Sequence, residues 1–242
     1  MEITTRELRQ LAADVDDQHH DAMATIHDQL AEVHRGETSR LLAGSRRHFL
    51  RNAGLGGLAL SVGSSLLPMS RLMPMAWAEG SITEGELAAF AQSVELAAVG
   101  AYEAAIDSGL LSGDVVDVAE IFRGHHQDHA DAFGGVAGED ATDQANQALL
   151  DAVGPQLQDA TDQDAVLTLA QDLENGAAAT YFYSLGVLQD RDTALAAATI
   201  LPVEGQHAVV LGQALGQELD EYVPTFQGSD GAWTPAEYPV NG

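Results

Sequence analysis

The chain contains neither cysteine nor lysine. The absence of cysteine excludes disulfide scaffolds, thiolate nucleophiles, Cys zinc sites and iron–sulfur clusters together. All ten cationic side chains are Arg, against 37 Asp and Glu, for a formal net charge of −27. That balance argues against nucleic acid as a partner, because such binding draws most of its affinity from cationic contacts to phosphate. No stretch alternates apolar and polar residues with period two, which argues against a sheet. What is present is apolar: 45% of the 242 residues are hydrophobic, enough to bury the core of one domain with an appendage.

The charge is unevenly placed. Residues 1–78 hold eight Arg and nine acids, whereas residues 79–242 hold only Arg123 and Arg191 against 28 acids. The two regions therefore read differently. Residues 1–44 form an amphipathic helical extension, with Leu8, Leu11, Val15, Met23, Ile26, Leu30 and Val33 at three- and four-residue intervals. Thr4 and Glu7 have the spacing of a capping box. His20, His27 and His34 recur every seven residues, too far apart along a helix to share one metal, and read as a solvated face. In residues 45–78, Ser45-Arg46-Arg47-His48-Phe49-Leu50 precedes a mildly apolar Ala53–Leu67 stretch, and Ala76-Trp77-Ala78 closes the segment. The order basic, apolar, small-x-small is that of a cleavable export signal. S-R-R-x-F-L resembles a twin-arginine translocation signal, which implies export from the cytoplasm through that machinery, to the periplasm or beyond. Membrane attachment follows only if the segment is not cut.

Residues 79–220 carry four helical patterns, Thr83–Asp107, Val115–Phe133, Asp164–Leu188 and Asp192–Leu215, rich in Ala, Leu, Glu and Gln. The first and last links are short. The middle link, about Gly134 to Gln163, is long and holds one short helical pattern. Two short links around a long crossover suit an all-α four-helix bundle. Residues 221–242, with Pro224, Gly228, Gly231, Pro235 and Pro239, read as an irregular tail.

Polar residues interrupt the apolar faces of these helices. Glu95, Glu174 and Glu204 each sit among Ala, Leu, Val or Ile at helical spacing, as does His126. A buried carboxylate needs a cation or a hydrogen-bond partner. Two Arg cannot neutralise three Glu, so protonation or a bound metal remain as explanations. His126 with His129, and Glu204 with His207, are i, i+3 pairs that share a helix face. His125 beside them reads as an exposed neighbour, and Asp128 and Asp131 as the solvated face. The pattern also repeats: Glu95 and Glu174 are 79 residues apart, His129 and His207 are 78 apart, and Tyr102 and Tyr181 each follow their Glu by seven. Imidazole and carboxylate together suit iron, manganese or zinc.

FAQSVELAAVGAY, HQDH, DLENGAAATY and ILPVEGQHAVVL resemble the four helices of exported ferritin-like proteins related to desiccation-associated proteins. The resemblance covers about residues 83–218. It implies a ferritin-like bundle with Glu95 and Glu174 as terminal ligands, Glu204 as a bridging carboxylate, and His129 and His207 as imidazole ligands of one or two iron or manganese ions. His126 stands where the family pattern has Glu. The candidate set is thus Glu95, His126, His129, Glu174, Glu204 and His207, with ligand charge −3 in place of −4. Three functions stay open: metal handling or stress protection, an oxidoreductase of ferroxidase or peroxide-consuming type, and a metal-free structural or binding module with a degenerate site. Homo-oligomerisation is open as well.

Overall fold

A computed structural model describes residues 5–34, 82–218 and 227–240. The arginine pair and the rest of residues 45–78 lie outside them. Contacts divide the chain into two compact units, Met1–Ile26 with Thr83–Gly242, and His27–Ile82. The first unit carries the helical bundle.

The described residues are helical, without strands. Helix α1 spans Thr5–His34, α2 Glu84–Asp107, α3 Asp114–Ala137, α4 Gln147–Asp159, α5 Gln163–Val187 and α6 Arg191–Ala214. The four long helices predicted within residues 79–220 are α2, α3, α5 and α6, with ends displaced by a few residues. The crossover joining α3 to α5 contains a 3-10 turn at Gly138–Asp140 and then α4. Helices α2 and α3 form one hairpin and α5 and α6 the other; the hairpins meet through α3 against α6 and α2 against α5.

Local chemistry sets the starts. Thr83 makes a full capping box with Glu86: its hydroxyl accepts from Glu86 N, and Thr83 N donates to Glu86 Oε2 at 2.7 Å. Asp162 caps α5, and Asp190 accepts from both Asp192 N and Thr193 N at the start of α6. Alanine fills much of the seam between helices: Ala88, Ala119, Ala178 and Ala196 are all buried. Small side chains let helix axes approach closely, so polar residues deep in the seam face one another across a short gap. Helix α6 is long and apolar enough to cross a membrane, but its most buried residues include Glu204 and His207, as in the core helix of a bundle.

Two appendages close the bundle. Helix α1 lays Leu8, Ala12 and Val15 into the same cluster as Phe122, Leu167 and Leu211. Arg9 pairs with the buried Asp114 at the start of α3. The described part of the tail is irregular. Trp233 lies over Gly176, where a Cβ would meet its ring at 2.5 Å, and Trp233 N donates to Thr180 Oγ1 at 2.8 Å.

Asn146 ties these parts together. It is fully buried, caps α4 by accepting from Leu149 N, and donates through Nδ2 to Ser93 Oγ and to Tyr238 O. Asn146→Ala removes the cap and leaves the buried Ser93 Oγ and the partly buried Tyr238 O without this donor. Urea denaturation should show a loss of about 2 kcal/mol; a loss under about 0.5 kcal/mol would contradict this role.

Candidate metal centre

Each candidate ligand comes from the middle of its helix. Helix α2 supplies Glu95, α3 His126 and His129, α5 Glu174, and α6 Glu204 and His207. All six side chains are 2% exposed or less. They form two tetrads whose ligand atoms lie within 4.8 Å of one another: Glu95, His126, His129 and Glu204, and His126, Glu174, Glu204 and His207. Each tetrad has its own terminal Glu and its own His. Glu204 and His126 belong to both.

The partners are specific. His126 Nδ1 donates to Glu95 Oε2 at 2.7 Å, and its Nε2 lies 3.2 Å from Glu174 Oε1. His207 Nδ1 lies 3.2 Å from Glu174 Oε2 and 3.7 Å from Glu204 Oε2. His129 Nδ1 lies 2.9 Å from Glu204 Oε1 and 3.6 Å from Glu95 Oε2. The tyrosines cross between hairpins: Tyr102 of α2 donates to Glu174 of α5, and Tyr181 of α5 donates to Glu95 of α2. Burial and the adjacent carboxylates hold both phenols well above their usual pKa, so both remain protonated donors.

The electrostatics show how three carboxylates are buried without a Lys or Arg partner among the described residues. Arg123 pairs with Glu103 at the surface and Arg191 is exposed, so neither neutralises the core. The cations are the imidazoles. Burial pushes His129 down, but the charge of Glu95 and the contact with Glu204 outweigh it and raise it to about 9. Burial likewise opposes His126 and His207, and the carboxylates raise both, with Glu174 the largest contributor. In turn, burial would raise Glu95 and Glu174. His129 and His126 instead lower Glu95 to about 2, and His207 and His126 hold Glu174 well below the usual range. Protonated imidazole is thus a third solution, beside the neutral carboxyl and the bound metal expected from sequence.

That solution is incomplete. Neither oxygen of Glu204 and neither ring nitrogen of His129 makes a hydrogen bond of acceptable geometry, although all four atoms are buried. Glu204 oxygens held by ion pairs without a well-directed hydrogen bond suit a cation once His129 gives up its proton, and the mixed carboxylate and imidazole set suits iron, manganese or zinc. The residues present therefore fit a metal. Glu120, six residues before His126, is exposed and takes no part. An apolar cavity lined by Ala97, Ala101, Leu149, Val153 and Trp233 reaches Glu95, His126 and Glu174 from the side of α4.

Sequence reasoning missed one flank. His125 is buried, contrary to its reading as an exposed neighbour. Its Nδ1 lies 2.9 Å from His207 Nε2 and its Nε2 lies 3.0 Å from Asp16 Oδ1. His19 of α1 is also fully buried, stacks on His125 at 4.0 Å and reaches Asp128 at 3.2 Å. The signal was available: His19 continues the Leu8, Ala12, Val15 stripe at helical spacing. His20 is exposed, as expected of a solvated face; the side chains of His27 and His34 lie outside the described ones.

These pairs fix a pH window for the metal-free fold. His129 is raised from 6.5 to about 9, so its stabilising effect is complete below pH 6.5 and lost as pH rises through 9. Glu95 is lowered from 4.5 to about 2, so its effect is complete above pH 4.5 and lost as pH falls through 2. The buried, neutral His19 and His125 are lowered by burial and penalise folding as pH falls below 6.5, so thermal melts of chelator-treated protein should peak near pH 6.5 and decline toward pH 9. A melting temperature that climbs from pH 6.5 to 9 would contradict the imidazolium pairs.

A family model for the ferritin-like domain matches residues 83–217, more than half of the chain, and spans all six ligand candidates. No curated protein and no solved structure matches the chain.

Proposed function

The chain belongs to the ferritin-like domain family, and from that premise we propose that its bundle core binds one or two transition-metal ions in an exported protein of metal handling or of oxidative and desiccation stress. Iron and manganese are the proposed ions; zinc also fits the donors. The supporting observation is the buried centre formed by Glu204 and His129, an ion pair at 2.9 Å in which neither carboxylate oxygen and neither ring nitrogen has a well-directed hydrogen bond. Glu95 and His129 would hold one ion and Glu174 and His207 another, with Glu204 within reach of both and the neutral His126, which has a single lone-pair nitrogen, available to only one of them. A bound ion supplies Lewis-acid chemistry and, if iron or manganese, electron transfer.

The remaining residues position and charge the site. Tyr102 and Tyr181 orient the terminal carboxylates across the hairpin interface. Three carboxylates give ligand charge −3, which favours divalent over trivalent pairs. His126 presents its nitrogens on opposite edges of the ring, one toward each terminal Glu, so it cannot bring two ions to one edge as a carboxylate can. Metal entry must displace the imidazole protons, so uptake strengthens with rising pH. Export rests on Ser45-Arg46-Arg47-His48-Phe49-Leu50.

A metal-free binding or structural module is the competing reading. The near-balance of three imidazoles against three carboxylates favours it. Elemental analysis and chelation separate the two. Under the proposal, native protein carries one or two equivalents of metal, and Glu174→Ala/Glu204→Ala carries none. Chelation should cost the wild type about 2.7 kcal/mol if metal had been at a hundred times its dissociation constant. A folded wild type that takes up no metal on reconstitution, with a melting temperature indifferent to chelator, would overturn it. The apolar cavity beside Glu95 and Glu174 suits a small uncharged molecule, so oxygen and peroxide consumption with added Fe²⁺ or Mn²⁺ distinguishes an oxidoreductase from a binding protein.

A further inference from the structure

We propose that α1 is part of the metal centre: Asp16, acting through His125, is a positioning residue for the ligand His207. This rests on the metal-binding reading for one of its two readouts and stands independently of it for the other.

The connection is a continuous chain of polar contacts. His207 turns Nδ1 toward Glu174 and Glu204 and Nε2 toward His125 Nδ1, at 2.9 Å. A ring that ligates through Nδ1 keeps its proton on Nε2, so His207 donates and His125 Nδ1 accepts. That leaves His125 with its proton on Nε2, which donates to Asp16 Oδ1 at 3.0 Å. Asp16 comes from a helix outside the four that hold the ligands. A carboxylate that orders a ligand imidazole typically contributes about 10–100-fold in metal affinity.

Three contacts hold Asp16 in place. Leu8, Ala12 and Val15, on the turns leading to it, are buried, so α1 is anchored on the bundle. On the following turn, His19 stacks on His125 and packs edge-on against His129 at 5.0 Å. Gln206, next to His207, donates to Gln18 at 3.0 Å. A cut after Ala78 would sever the covalent link between this helix and the bundle, leaving packing alone to keep Asp16 on His125.

The test uses the full chain. Mn²⁺ titrations compare wild type with Asp16→Ala, Asp16→Asn and the exposed control Asp17→Ala. Imidazole ¹⁵N spectra are taken on the metal-free forms. The expected result is a loss of Mn²⁺ affinity of about 10–100-fold in Asp16→Ala, recovery of most of it in Asp16→Asn, which keeps an acceptor oxygen, and no change in Asp17→Ala. In wild type the His125 Nε2–H should carry the signature of a hydrogen bond to Asp16, a downfield shift and slowed exchange, and this signature should be lost in Asp16→Ala. An Asp16→Ala affinity within about twofold of wild type overturns the proposal. If wild type takes up none of Mn²⁺, Fe²⁺ and Zn²⁺, the metal-binding reading fails and the spectra alone decide: loss of the Nε2–H hydrogen-bond signature in Asp16→Ala supports the positioning role, and an unchanged spectrum overturns it.

Discussion

Three carboxylates lie at the centre of a bundle in which no Lys or Arg among the described residues comes within their reach, and their neutralisation is the constraint on which the rest of the structure depends. Burying one unpaired charge costs more than a small domain's whole net stability would allow. The chain answers with three imidazoles at matched positions, two tyrosine donors and a seam lined by alanine that lets them meet. The raised histidines and lowered glutamates are two sides of that one exchange. Glu204 and His129 remain without hydrogen bonds at its centre. Under the metal-binding proposal, the same groups that neutralise each other would give up protons in favour of a cation.

The near-symmetry of the two hairpins explains the form of the site. Each hairpin offers a Glu on its first helix and a His on its second, and each sends its Tyr to the other's Glu. Neither hairpin can complete a tetrad alone, because Glu204 and His126 are each needed by both. Assembly of the site and packing of the hairpins are thus one event. The symmetry is broken at the shared positions, carboxylate on α6 and imidazole on α3. That difference lowers the ligand charge and separates this site from the four-carboxylate pattern that the chain otherwise resembles.

Much of this was legible in the sequence. Polar residues at fixed places on apolar stripes, repeated 78 and 79 residues apart, located all six ligand candidates and both tyrosines. The two short links and the long one between Gly134 and Gln163 marked the helix order. The protonation of the site was not legible, because the pKa of His129 depends on how near Glu95 and Glu204 come in space. His125 was misjudged for a related reason: as a neighbour of His126 it was assigned to the outward face of a single helix, whereas α1 covers that face and buries it. Helix spacing describes one helix at a time, and cannot say that a fifth helix lies against the bundle. The seating of Trp233 on Gly176 was invisible for the same reason, since it depends on where the tail returns.

The most direct measurement is calorimetric titration of Mn²⁺ or Fe²⁺ into chelator-treated full-length protein at about pH 7, repeated in buffers of different ionisation enthalpy. If metal replaces imidazolium as the counter-charge of the buried glutamates, saturation should release about three protons for a fully loaded centre, and the apparent affinity should rise with pH. Binding without proton release would place the metal elsewhere on the acidic surface. No binding, in a chain that remains folded, would mean that the imidazolium–carboxylate cluster is the finished core of this protein and not the resting form of a metal centre.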